Sequence, residues 1–467
     1  MNTILQNIQN SKMKAKWAED KLQRAEAQKE YDFLKNLQKP YMIEHYSYLY
    51  ETSEKGQMAI KINKVFNLTE QLIKELAVTF EQGITVEVKI ANQEVKSDDV
   101  LAKEKEFNEL LNNINLLPTL KEMDKLAELN KYCAISVVWD DEAKTVRLDL
   151  IPRYLCFVKQ ADNNPKAIRE FNYSIGVSEN SPGIPDNITL YQRLTSDTIS
   201  TVEIGSGGSV KKEYDIINNP YGQIPVVDFI PEIRVDTYFP QSKSPIVDFN
   251  IEINEDSTDF RHTFSMQCFS ILFVDGKVEG GLKIGQSTYL NLAPFNIGDN
   301  VDAKYLNPGT DLDKLLGVVQ KKCERFANAV GVSASLYNNT QSEYSSGYHL
   351  MLAKSDIIKK ANDRAGFYQQ SLNRLVNLIA KVWSYNNEKT YENYEITAKI
   401  NKLKVEMSET EKNDNDLKKL NLEQISKVEI LMRDRQLSEE EAVIELAKIR
   451  EQNKIQTITP NIDIVDI

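Results

Sequence analysis

Four carboxylates in one short stretch are the residues with the clearest potential for function. Asp248, Glu252, Glu255 and Asp259 recur at spacings i, i+4, i+7 and i+11. At about 100° per residue they fall on one side of a helix. Like charges at these spacings repel each other, so an isolated helix gains no stability from them. Two interpretations remain open: a solvated helix face, or, if several copies surround an axis, a pore wall that repels DNA.

A hydrolase-like trio lies on the same predicted helix, where Asp259, His262 and Ser265 occur at i−3, i and i+3. No glycine-flanked nucleophile or oxyanion loop accompanies them, although such a site needs both. Two acidic pairs could hold Mg²⁺, Asp98–Asp99 and Asp140–Asp141, but adjacent acids at turns are usually solvated. We therefore expect no catalytic residue, no metal ligand and no cofactor.

Composition narrows the classes of function. The chain has 467 residues, enough for two or more domains, and 41% of them are hydrophobic. The net charge of −12 argues against a nucleic-acid binder held by a basic surface, because phosphate affinity comes from Lys and Arg. The 4 cysteines form no C-x-x-C pair, so neither zinc nor a disulfide framework is indicated. Without a signal-peptide pattern or a run of about 18 apolar residues, we expect a protein made in the cytosol that does not span a membrane.

The elements around the carboxylates predict a pair of helices. Ser244 and Pro245 mark the start of the first, since proline at the first helical position loses nothing by lacking an N–H. β-like runs and glycine turns fill 270–310, and a second helix follows from a cap near Thr310 to a stop at Gly331. The apolar positions, which share one face of each helix and need neighbours, are Ile246, Phe249, Ile253, Phe260 and Phe264 on the first and Leu315, Val319 and Phe326 on the second. We expect the two helices to pack against each other.

A polar loop and a very long helix follow. The helix is predicted to have about 37 residues, on the order of 55 Å, with Gly366 as a candidate bend. Its apolar stripe consists of Ile357, Ala361, Ala365, Tyr368, Leu372, Leu375, Ile379 and Val382. The loop contains Tyr337, Asn338, Asn339, Thr340, Gln341 and Tyr344. These either touch DNA by hydrogen bonds and stacking or form an ordinary surface loop, and without Lys or Arg the loop would grip phosphate weakly.

The remaining segments comprise both predicted helices and predicted strands, which indicates an α+β protein. A charged helical arm extends to about residue 38, and the tyrosine-rich segment after Pro40 is predicted to be a packed loop. Further helices are predicted at about 67–80, 100–115, 118–131 and 408–454. Strands are predicted at about 84–90, 132–139, 145–150, 154–159, 167–175, 188–194, 198–204 and 210–214, with the glycine-rich stretch 205–209 as a hairpin turn.

The order of these parts resembles the portal proteins of tailed bacteriophages, and the resemblance covers about residues 58 to 450. The segments that carry it are Lys61–Val65 before a helix, Tyr132–Asp140 before a hairpin, Asn219–Val227, and Ser244-Pro245-Ile246 at the start of the first paired helix. Its specificity lies in the shared order of the parts, which few other families would reproduce.

The resemblance implies an α+β portal fold with an α/β wing, a helical stem, a small β-containing clip, a long tunnel-loop helix and a helical crown. The implied parts are an N-terminal helical arm at 1–57, the wing at 58–243, stem helix 1 at 244–269, the clip at 270–310, stem helix 2 at 311–331, the tunnel loop at 332–347, the long helix and wing return at 348–400, the crown at 401–454 and a flexible tail at 455–467. By the same resemblance the four carboxylates line a DNA channel, the loop residues named above belong to the tunnel loop, and the apolar positions of the paired helices pack between subunits.

The implied function is that of a ring, usually a dodecamer, at the unique vertex of a virion, assembled in the host bacterial cytoplasm. Double-stranded DNA is packaged and ejected through it. The implied partners are further copies of the chain, the terminase large subunit, the major capsid and scaffolding proteins, and a head-completion or adaptor protein. One alternative is a non-ring scaffold or adaptor built on a coiled-coil dimer, although the apolar stripes are not sustained as heptads. A divalent-metal nuclease is the third hypothesis.

Overall fold

The structure, a computed structural model, describes residues 2–50, 65–90, 98–161, 164–177, 189–205, 209–234, 237–240, 243–268, 271–275, 277–278, 292–293, 302–306, 311–332, 347–387, 390–392, 394–403, 409–422, 425–435 and 439–456. It is 54% helical and 26% strand, which confirms the predicted mixed α+β class. Lys61–Lys64, the start of the first segment that carries the resemblance, lie outside these ranges.

The helices in this part of the chain are α1 (Asn2–Leu34), α2 (Lys39–Tyr50), α3 (Leu68–Leu76), α4 (Asp98–Asn113), α5 (Leu116–Asn130), α6 (Ile246–Cys268), α7 (Leu312–Val330), α8 (Gly347–Asn386), α9 (Glu409–Asn421), α10 (Lys427–Arg435) and α11 (Glu439–Gln456). The strands are β1 (Ile84–Ile90), β2 (Cys133–Asp140), β3 (Thr145–Pro152), β4 (Cys156–Ala161), β5 (Asn164–Val177), β6 (Thr189–Leu194), β7 (Thr198–Ile204), β8 (Val210–Asn218), β9 (Val226–Phe229), β10 (Ile271–Asp275), β11 (Lys277–Val278), β12 (Leu292–Ala293), β13 (Asp302–Leu306) and β14 (Tyr394–Ile400).

All strand pairs described are antiparallel. β4 to β8 form a five-stranded meander in chain order, and a second sheet has the order β3-β2-β9. The predicted hairpin between β7 and β8 is confirmed, and the N–H of Gly205 donates to the Ser209 carbonyl at 2.9 Å. β1 pairs with the distant β14, with Ile84 opposite Ile400. β10 pairs with β13, and β11 with β12.

Contacts divide the chain into two units. The first comprises 1–337 and 356–403 and contains every strand named above; the second comprises 338–355 and 404–467. In the second unit α10 packs against α11. Ser426 and Glu429 form a capping box at the start of α10, because each backbone N–H donates to the other side chain, at 2.7 and 3.1 Å.

Helix α8 is the centre of the core of the first unit. The eight apolar residues predicted to share its stripe are all buried, which confirms the helical period of this segment. Tyr368 is fully buried between two aromatic rings, with ring-centroid distances of 6.1 Å to Phe80 and 5.7 Å to Phe229. The helix is continuous through Gly366.

A buried ionic cluster fixes α8 against α3 and α5. The guanidinium of Arg364 pairs with Glu128, donates to the Leu76 carbonyl, and donates to Thr79 Oγ1 at 3.1 Å. Asp124 is fully buried, accepts the N–H of Thr79 at 2.9 Å and lies 3.6 Å from Arg364 Nε. Burial raises the pKa of Asp124, and the neighbouring guanidinium opposes that rise. The cluster therefore holds three helices together by charges that have little access to water.

The sheet made by β1 and β14 has both edges covered by side chains. Gln369, Asn373 and Asn377, one turn apart on α8, hydrogen-bond to the β14 backbone at 2.8 to 3.2 Å. On the other edge the N–H of Val88 donates to Glu104 of α4 at 2.9 Å. Three amides of α8 thus take the place of a missing strand, which leaves this edge unavailable for pairing with another chain.

The predicted N-terminal arm is α1, and its second half packs on the first unit. Arg153 is 4% exposed, donates to Asp20 of α1 at 2.7 Å, and lies 3.7 Å from the ring centroid of Phe239. Trp17 meets Phe157 edge-on at 4.9 Å. These contacts make this half of α1 a structural part of the unit.

The tyrosine-rich segment is helix α2, so its prediction as a loop was wrong. Pro40 lies in the first turn, where a missing N–H is tolerated. Met42 is fully buried, and the hydroxyl of Tyr41 donates to Asp32 of α1 at 2.6 Å. Packing against α1 therefore outweighs the weak helix propensity of tyrosine.

Replacing Arg364 with Met should lower the free energy of unfolding by about 3–5 kcal/mol, because Asp124 would keep a buried charge without its cation. Urea unfolding followed by circular dichroism measures the loss. The double variant Arg364→Met/Asp124→Asn should recover part of it. A loss under about 1 kcal/mol, as for a surface ion pair, would contradict this role for the cluster.

Stability should depend on pH through Glu30 of α1, whose carboxylate accepts a 2.6 Å hydrogen bond from the Asn130 amide. Burial raises the pKa of Glu30 from 4.5 to about 7. The native state then binds the proton more tightly than the unfolded chain, so stability falls as the pH rises from 4.5 to 7. Glu30→Gln keeps the acceptor without the charge and should be more stable above pH 7 by on the order of 2 kcal/mol.

Thermal unfolding between pH 4 and 8 checks this expectation, and the two proteins should be equally stable near pH 4. Glu19→Gln, an exposed position on the same helix, is the matched control and should show no such divergence. Parallel pH profiles for Glu30→Gln and the parent protein would contradict it.

Candidate functional site on the paired helices

Helix α6 carries the four carboxylates and is anchored by its opposite face. It starts directly after Pro245, whose carbonyl accepts the N–H of Phe249 at 3.0 Å. Ile246, Phe249 and Ile253 are buried within this one chain, where α6 contacts α3 and α7. The burial of these three residues, predicted to pack between subunits, therefore needs no second copy.

Two buried asparagines fix the rotation of α6. Asn250 is 0% exposed and accepts the N–H of Leu68, the first residue of α3, at 3.1 Å. Asn254 accepts the N–H of Phe66 at 2.8 Å and donates to its carbonyl at 3.0 Å. Because this side of α6 is held inward by hydrogen bonds, the carboxylate side is turned outward.

Helix α7 packs beside α6 in the opposite direction, as expected for the predicted pair. Phe249, near the start of α6, stacks on Phe326, near the end of α7, with ring centroids 3.7 Å apart and an interplanar angle of 4°. This ring pair closes the contact inside the chain, so both residues contribute to the packing of a single subunit.

The ends of α7 are well defined. Its N-cap is Asp311, one residue after the predicted Thr310, and accepts the N–H of Lys314 at 3.1 Å. Its predicted stop is confirmed, since Gly331 has φ 84°. Lys360 of α8 donates to the Val330 carbonyl at 2.6 Å and so neutralises the negative end of the helix dipole. A Cβ at Gly331 would lie 2.8 Å from Lys360 Nζ.

The predicted acidic stripe lies on the outer side of α6. Asp248, Glu252 and Asp259 are exposed and Glu255 is half-buried. Glu255 pairs with His45 of α2, a contact between residues far apart in sequence. Glu255 is therefore oriented by a contact with α2.

Lys322 of α7 bridges two carboxylates of α6. Its Nζ lies 2.7 Å from both Glu252 and Asp256. Hydrogen bonds to Asp256 and then to Glu252 raise the pKa of Lys322. Because the bridge neutralises part of the stripe, the face is less negative than the sequence alone indicates.

Helix α7 carries a row of exposed cations. Lys314, Lys321 and Arg325 are exposed and recur at i, i+7 and i+11, within about 40° of one another on a helical wheel. Lys322, which forms the bridge, lies about 60° from Arg325 and about 100° from Lys321 on the same helical wheel. Sequence reasoning missed this row, although its spacing was available.

The remaining predicted packing residues are only partly covered. Phe260, Leu315, Val319 and Phe326 are half-buried. Large apolar side chains with considerable exposure are Phe264 at 49%, Leu316 at 45% and Val318 at 60%. The second half of α6 and the first half of α7 thus leave apolar surface in contact with water, which in soluble proteins often marks an interaction site.

The β insertion and the loop are described only in part. In the predicted clip, β10 pairs with β13, and Ile271 lies opposite Leu306. In sequence, these two strands lie between α6 and α7. The six residues predicted for the tunnel loop, Tyr337, Asn338, Asn339, Thr340, Gln341 and Tyr344, lie outside the described residues.

Among the described side chains, no group of three His, Cys, Asp or Glu residues converges on a possible metal position. The side chains of His262 and Ser265 are outside this set, so the hydrolase-like trio stays untested.

No helix in the described ranges is both long and apolar enough to cross a bilayer. No model of a known protein family matches the chain, and no curated protein shows significant similarity to it.

Phe249→Ala should lower the free energy of unfolding by about 3–4 kcal/mol, because it removes a buried ring stacked on Phe326. Phe264→Ala, the same substitution at an exposed position on the same helix, should change it by less than about 1 kcal/mol in the dissociated subunit. Chemical unfolding at low protein concentration compares the two. Equal losses would contradict the division of α6 into a buried first half and a more exposed second half.

Proposed function

We propose that this chain is the portal protein of a tailed bacteriophage, which closes into a ring and conducts double-stranded DNA. The observation that carries the proposal is the arrangement of α6, β10, β13 and α7. They form an antiparallel helix pair with a small β insertion, and α6 turns Asp248, Glu252 and Asp259 outward.

Ring closure would give the exposed apolar side chains of the pair a partner. In a ring, each copy is related to the next by the same rotation, so each contact joins two different surfaces of the subunit. The ring closes when that rotation divides 360° evenly. Phe264, Leu316 and Val318 lie on the half of the pair that α6 and α7 do not cover by themselves. A dodecamer is the assembly that the resemblance implies.

Carboxylates on α6 would keep DNA from adhering to the channel wall. Charge repulsion is screened beyond about 8–10 Å at physiological salt, so it acts only on a polyanion held close, as in a narrow channel. A ring also brings together the same carboxylates from every copy. If no cations neutralised them, their mutual repulsion would destabilise the assembly. The bridge from Lys322 to Glu252 and Asp256 lowers that cost while Asp248 remains available to DNA.

The proposed ring would dock the terminase large subunit during packaging and a head-completion or adaptor protein afterwards. The major capsid and scaffolding proteins would surround it at the portal vertex. The buried α8 would serve as the rigid support of each subunit, because its apolar stripe and its ionic cluster fix it in the core.

Purified protein should form closed rings with a central hole in electron micrographs, with a solution mass that is a multiple of 53.4 kDa. The variant Asp248→Lys/Asp259→Lys should keep this ring and lower the amount of packaged DNA roughly tenfold, since added cations bind phosphate. An in vitro packaging assay with DNase-protected DNA measures the second effect.

Asp141→Lys, a charge reversal at a turn with 87% side-chain exposure, is the matched control and should package normally. Rods or dimers would favour the scaffold or adaptor alternative, and Mg²⁺-dependent cleavage of DNA would favour a nuclease. Normal packaging by the double variant in intact rings would exclude the proposed role of the carboxylates.

A further inference from the structure

Two exposed charges of opposite sign on the paired helices lack an ion-pair partner among the described residues. Arg261 lies in the second half of α6, and Asp313 lies in the first turn of α7. The bridging Lys322, by contrast, is engaged with carboxylates of its own chain. Arg261 and Asp313 are therefore available to pair with another molecule.

The bridge between α6 and α7 fixes the level of both charges along the helices. Lys322 Nζ lies 2.7 Å from Glu252. Arg261 comes nine residues after Glu252, and Asp313 comes nine residues before Lys322. Since the two helices run in opposite directions, both steps lead toward the same end of the pair, and each covers about 14 Å. Arg261 and Asp313 thus lie at the same level.

The same spacing places the two charges on opposite sides of the helix pair. Nine residues at about 100° each amount to about two and a half turns, so Arg261 points away from the side of α6 that bears Glu252. By the same count Asp313 points away from the side of α7 that bears Lys322. Glu252 and Lys322 face each other in the bridge. The outer side of α6 that bears Arg261 is the α6 flank, and the outer side of α7 that bears Asp313 is the α7 flank.

Both flanks are open at the level of these charges. Asn254, within about 20° of Arg261 on the helical wheel, is buried against the segment just before α3. Arg261, about two turns further along α6, is exposed. On the α7 flank both Asp313 and Gln320 are exposed. The core of the subunit therefore covers the α6 flank only in the first half of the helix.

An exposed apolar residue accompanies each charge. Phe264 follows Arg261 by three positions and is 49% exposed, and Leu316 follows Asp313 by three positions and is 45% exposed. Residues three apart are neighbours on a helix surface. Because α6 and α7 are antiparallel, Phe264 lies on one side of the level of the charges and Leu316 on the other. An ion pair between the two flanks would have an apolar side chain above and below it, which strengthens the attraction by excluding water.

The proposed ring brings such flanks together. A carboxylate stripe that lines a channel makes the helix pair run along the ring axis, and a rotation about that axis does not shift a copy along it. Each ring contact also joins two different surfaces of the subunit. The α7 flank of one copy can therefore meet the α6 flank of the next copy, with the helices antiparallel and the two charges still at the same level.

We propose that Arg261 of each copy forms an ion pair with Asp313 of the next copy, and that this pair aligns neighbouring subunits. The inference rests on the proposed ring and identifies the surfaces on which its copies meet. It leaves the carboxylate stripe of α6 free for the channel, because Arg261 lies about 180° from Glu252 on the helical wheel.

Charge reversal tests the contact with little effect on the fold, since both side chains are exposed. Arg261→Asp brings two acids together at each contact, and Asp313→Arg brings two cations together. Each variant should raise the concentration at which half of the protein is assembled at least about tenfold, because like charges repel across an interface. Mass photometry over a dilution series measures assembly, and circular dichroism checks that the dissociated subunits are folded.

Mixing the two variants is the decisive measurement, because each supplies the charge that the other lacks. The equimolar mixture should form rings that contain both variants in equal numbers, which native mass spectrometry detects when one variant is isotopically labelled. The chain with both substitutions should assemble as the parent does. Arg325→Asp changes an exposed arginine about 120° from Asp313 on the α7 wheel. It is the matched control and should also assemble normally.

The outcomes separate this contact from the ring itself. A parent protein that stays monomeric would exclude both. Parent rings together with normal assembly of both reversals, or with a mixture that stays dissociated, would overturn the contact and leave the ring proposal standing. An equal loss of assembly in Arg325→Asp would also overturn the contact, because the effect would then follow net charge and not position.

Discussion

The buried guanidinium of Arg364 is the constraint on which the first unit depends. A guanidinium stays charged in a protein, so its burial obliges the surrounding chain to supply acceptors. They come from Asp124 and Glu128 of α5 and from the segment that ends α3. Since α8 also fills the core with its apolar stripe, both its rotation and its position along its axis are fixed. The elements that pack on α8 take their positions from it.

The contacts that fix α3 also determine which face of α6 is exposed. Asn250 and Asn254 bond to the backbone at and just before the start of α3, and Arg364 binds the other end of α3. Buried polar contacts on one side of α6 therefore decide which residues meet solvent on the other. The result is a mixed surface on the helix pair, with carboxylates on α6, exposed cations on α7, and Lys322 of α7 paired with Glu252 and Asp256 of α6.

Sequence patterns predicted those elements whose burial has a regular period. The apolar stripe of α8, the bounds of β1 and β7, and the stop of α7 at Gly331 are all local signals, and the structure confirms each. The side of α6 that carries the carboxylates was predicted from the same period. Partners from distant segments were not: His45 for Glu255, Lys322 for Glu252, and β14 for β1 bring together residues whose proximity no local pattern encodes.

The contact of Lys360 with the end of α7 has a mechanical consequence. Its ammonium holds the Val330 carbonyl beside Gly331, so a Cβ at position 331 would displace the lysine from this contact. Because α8 is immobilised in the core, the last turn of α7 acts as the fixed end of the helix pair. We expect the pair to behave as a cantilever, whose deflection is smallest at Gly331 and greatest where β10 and β13 meet.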